Sequence, residues 1–169
     1  MMKTFTQIKS LIFLITMLCV QNFLSAQVMV FKVNAPANAA GTYSLYRAAF
    51  GPTDVNEIIE TPIVVSIPEN PCGGITNDMT GKIAFVNRGP CDFPNEADGN
   101  FISKVRYAEA AGAIAVIICN NANPVINPGL PAGETNDVNI KSFLMEKPDC
   151  DKIKLALGNG NVNGNIVLK

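Results

Sequence analysis

The chain has 169 residues and nearly balanced charge, with 13 lysines and arginines against 14 aspartates and glutamates. It has no clustered basic face that could neutralise phosphates, so no nucleic-acid partner is expected. It also contains no histidine, which excludes a serine–histidine–aspartate triad and removes the usual base of a catalytic cysteine.

Residues 1–26 have the pattern of a secretory signal peptide. Lys3 and Lys9 form a positive flank, an apolar stretch follows at 11–20, and a small-residue cleavage site ends at Ala26. A membrane anchor would need about twenty continuous apolar residues, and two polar residues interrupt this run. We therefore expect cleavage after Ala26, a secreted or periplasmic location, and no membrane association of the mature chain.

The rest of the chain, 27–169, has the length of a single domain with one hydrophobic core. Alternating and β-branched residues predict three strands in its first part, at 27–33, 42–50 and 58–67. Pro62 predicts an edge position or a break in the third strand, because proline has no N–H to donate. Loops rich in proline, glycine and asparagine are predicted at 34–41 and 68–74.

A strand–helix–strand unit follows. Within residues 82–87, the four consecutive positions 83–86 are apolar, which predicts a central strand covered on both faces. Residues 101–111 have apolar side chains at helical spacing, and Gly112 is expected to end this helix. The polar side chains predicted to turn away from its apolar face are Lys104, Arg106 and Glu109. With a second buried strand at 114–119, this is a parallel βαβ unit.

The last part of the chain begins with a long surface loop, predicted over 120–138 from its asparagine, proline and glycine content. Regular elements then follow, predicted as a strand at 139–145, a helix at 148–157 and a closing strand at 165–168. Pro148 suits the first turn of that helix.

The segment Gly-Lys-Ile-Ala-Phe-Val-Asn-Arg-Gly-Pro-Cys at 81–91 is followed by Phe101, by Lys104-Val105, and by Ala-Ala-Gly-Ala at 110–113 before the strand to Asn121. This ordered pattern resembles the protease-associated (PA) domain family. The resemblance implies an α/β fold: a small PA-type open β-barrel or sandwich of about seven mixed strands, flanked by two helices around one βαβ unit.

Four cysteines lie beyond the signal, at positions 72, 91, 119 and 150, and an even set in an exported chain favours disulfides. Spacing alone leaves all three pairings open. The resemblance favours pairing of sequence neighbours, Cys72 with Cys91 and Cys119 with Cys150. A zinc site would lack histidine and closely spaced cysteines, so no metal or other cofactor is expected.

Relative to the family, the chain has an insertion at 92–100. Its oxygen-bearing side chains, Asp92, Glu96, Asp98 and Asn100, could coordinate calcium. The alternative, which we favour, is a solvated polar turn.

The candidate partner-binding residues are Arg88, Gly89, Asn120 and Asn121. The resemblance implies that Arg88, where the central strand ends, contacts a carboxylate or carbonyl of a partner. The alternative is a structural role, hydrogen bonding to carbonyls of neighbouring loops. Gly89 is expected to allow a sharp turn at positive φ. Asn120 and Asn121 could meet a ligand's backbone, or they could cap turns.

The function predicted from these features is that of a secreted, non-catalytic PA domain that binds a peptide or protein partner, with a secreted peptidase as the expected association. No motif supports catalysis by a lysine-assisted serine or by paired carboxylates, so enzyme activity is not expected. One alternative is that the chain, which stops at Lys169 after its closing strand, is the truncated accessory part of a larger secreted peptidase. Another is a surface adhesion module.

Overall fold

The computed structural model describes residues 28–91 and 100–169. The predicted signal peptide and nearly all of the predicted 92–100 turn lie outside the described residues. Within them, the elements in chain order are β1 Met29–Val33, β2 Gly41–Ser44, β3 Tyr46–Arg47, β4 Ile58–Val65, β5 Ile83–Asn87, α1 Phe101–Ala110, β6 Ala115–Cys119, β7 Lys141–Met145, α2 Lys147–Leu157 and β8 Asn163–Leu168.

All of these strands belong to one mixed sheet with the order β2-β1-β8-β4-β5-β6-β7-β3. Strands β4 to β7 run parallel to one another, and the remaining pairs are antiparallel. Strands β2 and β3 lie at opposite ends of this order, yet only Leu45 separates them in the chain. The sheet must therefore curl until its ends meet, which makes it a nearly closed barrel and confirms the predicted fold class.

The two faces of the central strands contact two separate apolar clusters. Because side chains alternate along a strand, Phe85 and Ile117 point into the barrel interior, whereas Val86 and Ile118 pack beneath α1. Helix α2 contributes Ile153 to the interior cluster. The prediction that these strands are covered on both faces is confirmed.

Both ends of α1 follow local rules. At its start, the Asn100 side chain accepts a hydrogen bond from Ser103 N at 2.9 Å. At its end, Ala113 N donates to Ala108 O and Gly112 N donates to Glu109 O, the paired bonds of a Schellman motif. Gly112 has φ +93°, and a Cβ there would lie 2.8 Å from Thr80 Oγ1. The predicted helix end is thus confirmed.

Two strand predictions need correction. The predicted strand 42–50 is split into β2 and β3, because the chain bends at Leu45 to pass from one end of the sheet to the other. This split raises the strand number from seven to eight. Of the two alternatives predicted for Pro62, an edge position or a break, the edge position is wrong, since β4 has β8 and β5 on its two sides. It follows a register irregularity between Ile58 and Thr61, and pairing with β5 begins only at Ile63.

The prediction that Lys104 turns away from the core is wrong. Its side chain is fully buried, because the loop after β4 covers the face of α1 from which it projects. Its Nζ atom lies 2.5 Å from Asn70 Oδ1 and 3.3 Å from the Pro71 carbonyl oxygen. Burial lowers the pKa of Lys104 to about 8. Arg106 and Glu109 do remain outside the core, as predicted.

No helix in 28–91 or 100–169 combines the length and apolarity that a membrane crossing requires.

Candidate functional site

The predicted site residues follow the carboxyl ends of two neighbouring parallel strands. Arg88 N donates to Cys119 O at 2.8 Å and Asn120 N donates to Met145 O at 2.9 Å, so the ladder extends one residue past β5 and β6. Arg88 and Asn120 are thereby placed side by side. A cavity of about 280 Å³ opens at this edge, which is where ligands commonly bind in sheets of this type. We call it the edge cavity.

Arg88 is half-buried in the wall of the edge cavity. Its Nη1 donates to Asn120 Oδ1 at 2.8 Å, and its guanidinium carbon lies 5.5 Å from the centroid of the Phe101 ring. The side-chain partner is thus an amide, and not a backbone carbonyl of a neighbouring loop. None of the ion pairs among the described residues involves Arg88, so its positive charge has no carboxylate partner there.

Asn120 and Asn121 also line the edge cavity. Asn120 is buried; its Nδ2 donates to the Ala122 carbonyl, and its Oδ1 accepts from Asn121 N at 3.1 Å. Asn120 therefore caps a turn and at the same time orients Arg88. Asn121 is exposed at the rim of the cavity. Their predicted contact with a ligand stays a prediction.

Gly89 does not have the role expected of it. It is not among the glycines with φ in the left-handed region, so the turn does not require positive φ. A Cβ at Gly89 would lie 3.0 Å from Asn70 Nδ2, and the absence of a side chain permits this close approach. Asn70 in turn donates to the Pro90 carbonyl at 3.1 Å and contacts Lys104. Gly89 thus serves packing and lies outside the lining of the edge cavity.

Helix α2 forms the opposite wall, which sequence reasoning missed. Lys147, Asp151 and Lys154 have the i, i+4 and i+7 spacing of one helix face, and all three line the edge cavity. Lys154 Nζ lies 2.7 Å from Glu69 Oε2 and also contacts Asn87 Oδ1. The hydrogen bond from Lys154 is the main reason that the pKa of Glu69 is lowered. The spacing of these charged residues predicts one polar face of a helix, but it does not tell which other elements this face contacts.

Disulfide geometry is found for both cysteine pairs that the resemblance implied. The Cα atoms of Cys72 and Cys91 are 5.6 Å apart, and those of Cys119 and Cys150 are 5.7 Å apart. The second pair joins the end of β6 to α2. It therefore connects the two walls of the edge cavity, and Cys119 is part of the cavity lining.

A lysine and a serine are adjacent at Lys141-Ser142, but they lie on opposite faces of β7. Lys141 Nζ is 2.8 Å from Asp54 Oδ1, whereas Ser142 Oγ is buried without a hydrogen-bond partner in the described part of the chain. The two side chains therefore do not form a nucleophile and its base.

Curated proteins with similar sequences include an aminopeptidase and several signal peptide peptidase-like proteins. "Aminopeptidase YwaD" of Bacillus subtilis (strain 168) is 33% identical over 132 residues, which cover 75% of this chain and 27% of that protein. "Signal peptide peptidase-like 4" of Oryza sativa subsp. japonica is 30% identical over 69% of this chain and 21% of its own length. "PRADC1-like protein" of Drosophila melanogaster is 33% identical over 62% of this chain.

The chain thus spans between about a fifth and a half of the length of these three relatives. Among solved structures, the aminopeptidase from Aneurinibacillus sp. strain AM-1 superposes with a TM-score of 0.58 at 21% identity, over 85% of this chain and 30% of that one. A zinc aminopeptidase from Bacillus subtilis gives 0.54 at 25% identity, over 85% and 31% of the two chains. These likenesses support the same fold.

The family model described as "PA domain" matches residues 33–153, well over half of the chain. This range contains the βαβ unit, both disulfides and all the residues that line the edge cavity except Lys154. The chain therefore belongs to the PA domain family.

Proposed function

We propose that this chain is a secreted, non-catalytic PA domain that binds a peptide or protein partner at the edge cavity and serves as an accessory to an exported peptidase. The observation that carries the proposal is the state of Arg88. Its guanidinium is oriented by Asn120 and Phe101 in a cavity wall, yet it has no carboxylate partner among the described residues. An anionic or carbonyl group of a partner would complete its hydrogen bonding.

The chemistry of the cavity wall favours binding over catalysis. The lining residues are amides, charged side chains and a disulfide-bonded cysteine, without a serine, threonine or free thiol among the described ones. Of the charged groups, Lys154 faces Glu69 and Lys147 faces Asp151. Paired charges of this kind position a ligand but are poor nucleophiles or bases.

The proposed location outside the cytoplasm draws on the cysteines and the amino terminus. Two disulfides are typical of oxidising compartments, and residues 1–26 have the composition of a signal peptide. A secreted or periplasmic protein would also be placed to meet an exported peptidase.

A second candidate is that the domain works as the accessory part of a larger secreted peptidase. The observation that favours it is the match to "Aminopeptidase YwaD", in which the similar region is 27% of the protein. A reading frame that continues in phase into a peptidase domain would establish this alternative, whereas a stop followed by an unrelated gene would remove it.

The binding test uses the full chain, exported and purified in oxidised form, passed over an immobilised peptide library and over secreted proteins of the host. We expect saturable capture that Arg88→Ala weakens by about tenfold or more, the usual loss for a hydrogen bond to a charged group. Lys152→Ala is the matched control, because Lys152 lies on α2 with its ammonium over the Tyr43 ring, outside the edge cavity.

Lys152→Ala should leave capture unchanged. Capture that is equally strong with Arg88→Ala would place the binding surface elsewhere. No capture by a well-folded chain would overturn the proposal that it binds peptides or proteins by itself.

A further inference from the structure

A second cavity adjoins the edge cavity along α2. It has a volume of about 400 Å³ and shares Glu69 and Lys154 with the edge cavity. Its other walls include Val65 at the end of β4 and Leu157 at the end of α2. The two cavities therefore lie end to end along α2, one on each side of the Lys154–Glu69 ion pair, and together they form a shallow trough. We call it the α2 trough.

The described residues at the edge-cavity end of the α2 trough carry an excess of positive charge. It contains the cations of Arg88, Lys147 and Lys154 and the carboxylates of Glu69 and Asp151. Lys154 lies 2.7 Å from Glu69, and Lys147 lies 2.5 Å from Asp151. Among the described residues, these pairs leave the guanidinium of Arg88 as the charge that an incoming carboxylate would neutralise.

The other end of the α2 trough presents aliphatic surface. Val65 and Leu157 are half-buried: they pack against the interior cluster and still line the second cavity. An aliphatic side chain placed between them would remove apolar surface from water on both sides of the contact.

We propose that the α2 trough binds an extended peptide segment, with an acidic side chain beside Arg88 and an aliphatic side chain between Val65 and Leu157. This inference rests on the proposed function and adds to it the chemistry of the peptide. A segment that fills both cavities crosses over the Lys154–Glu69 ion pair. The carboxylate beside Arg88 then belongs to a side chain within the segment and not to a chain end.

The probes are fluorescein-labelled heptapeptides of glycine and serine that carry one glutamate and one leucine, in both orders and at several spacings. Both peptide ends are blocked, by the label and by an amide, and binding to the full oxidised chain is followed by fluorescence polarisation. For the best spacing, we expect replacement of glutamate by glutamine to weaken binding about tenfold. Replacement of leucine by serine should weaken it by a similar factor.

Variants of the chain should separate the two ends of the trough. Arg88→Gln should abolish the preference for glutamate over glutamine and keep the preference for leucine. Val65→Thr, which keeps the side-chain shape, should reduce only the leucine preference, and Leu157→Ala should do so more strongly. Lys152→Gln, on α2 but outside both cavities, should change neither preference.

Equal binding of glutamate and glutamine peptides would overturn the inference. The inference would also be overturned if a peptide without glutamate but with a free carboxyl terminus bound as tightly as the blocked glutamate peptide. The chain end would then be the ligand of Arg88. If Arg88-dependent capture from the peptide library persists in either case, the proposed function stands and only the peptide chemistry is wrong. If the preference for glutamate and the Arg88-dependent capture from the library are both absent, the inference and the proposed function are overturned together.

Discussion

The buried Lys104 should make the stability of the domain depend on alkaline pH. Its side chain is 0% exposed, and no ion pair within 28–91 and 100–169 involves it. Burial lowers the pKa of Lys104 from 10.5 to about 8. Between these two values, the unfolded chain holds a proton that the folded chain has released.

The sign of the effect follows from this difference in bound protons. Below pH 8 the folded state must bury a charged ammonium, so the charge on Lys104 lowers the free energy of unfolding. As the pH rises from about 8 to 10.5, this penalty is relieved and the domain gains stability. At about 1.4 kcal/mol for each pKa unit, the full gain is about 3 kcal/mol, of which about 2.5 kcal/mol falls between pH 7 and pH 10.

Urea unfolding at pH 7, 8, 9 and 10 measures the effect when the wild type is compared with Lys104→Met. Other titrating groups are common to both proteins and cancel in the difference. That difference in the free energy of unfolding should move in favour of the wild type by about 2.5 kcal/mol over this range. Lys152→Met, with an exposed lysine replaced, should run parallel to the wild type. A difference for Lys104→Met that is flat within about 0.5 kcal/mol would refute the reasoning.

Two further predictions concern single contacts. Replacing Cys119 and Cys150 together by serine opens a loop with a sequence separation of 31 and should lower the free energy of unfolding by about 3 to 4 kcal/mol. It should also weaken peptide capture, because it disconnects the walls of the edge cavity; full capture by this variant would show that the walls hold without the bridge. Ser142→Ala removes a buried hydroxyl without a partner and should leave stability unchanged or raise it by up to about 1 kcal/mol. The hydroxyl of Ser66 is also buried, but it donates to Pro68 O at 2.8 Å. Ser66→Ala should therefore lower the free energy of unfolding by about 1 kcal/mol. Equal thermal midpoints for Ser142→Ala and Ser66→Ala would contradict this expectation.

Local sequence patterns predicted the wall of the edge cavity that Arg88, Asn120 and Asn121 form. An apolar run such as 83–86 specifies a strand covered on both faces, and Gly112 specifies a helix end, because each depends on neighbours within a few positions. When two such strands are parallel neighbours, the residues that follow them lie at the same edge of the sheet. Arg88 and Asn120 could therefore be placed together before the structure was known.

The sequence by itself thus determined the βαβ unit and the residues at the ends of β5 and β6, and its resemblance to the PA domain family implied the fold class. Only the tertiary structure decided the burial of Lys104 and the wall that Lys154 contributes. Lys104 meets Asn70 across 34 positions, and Lys154 meets Glu69 across 85. Whether a polar residue on a helix is exposed or buried depends on which other element packs against it. The closing of the whole barrel brings that loop or helix into contact. Periodicity within one segment carries no information about that partner.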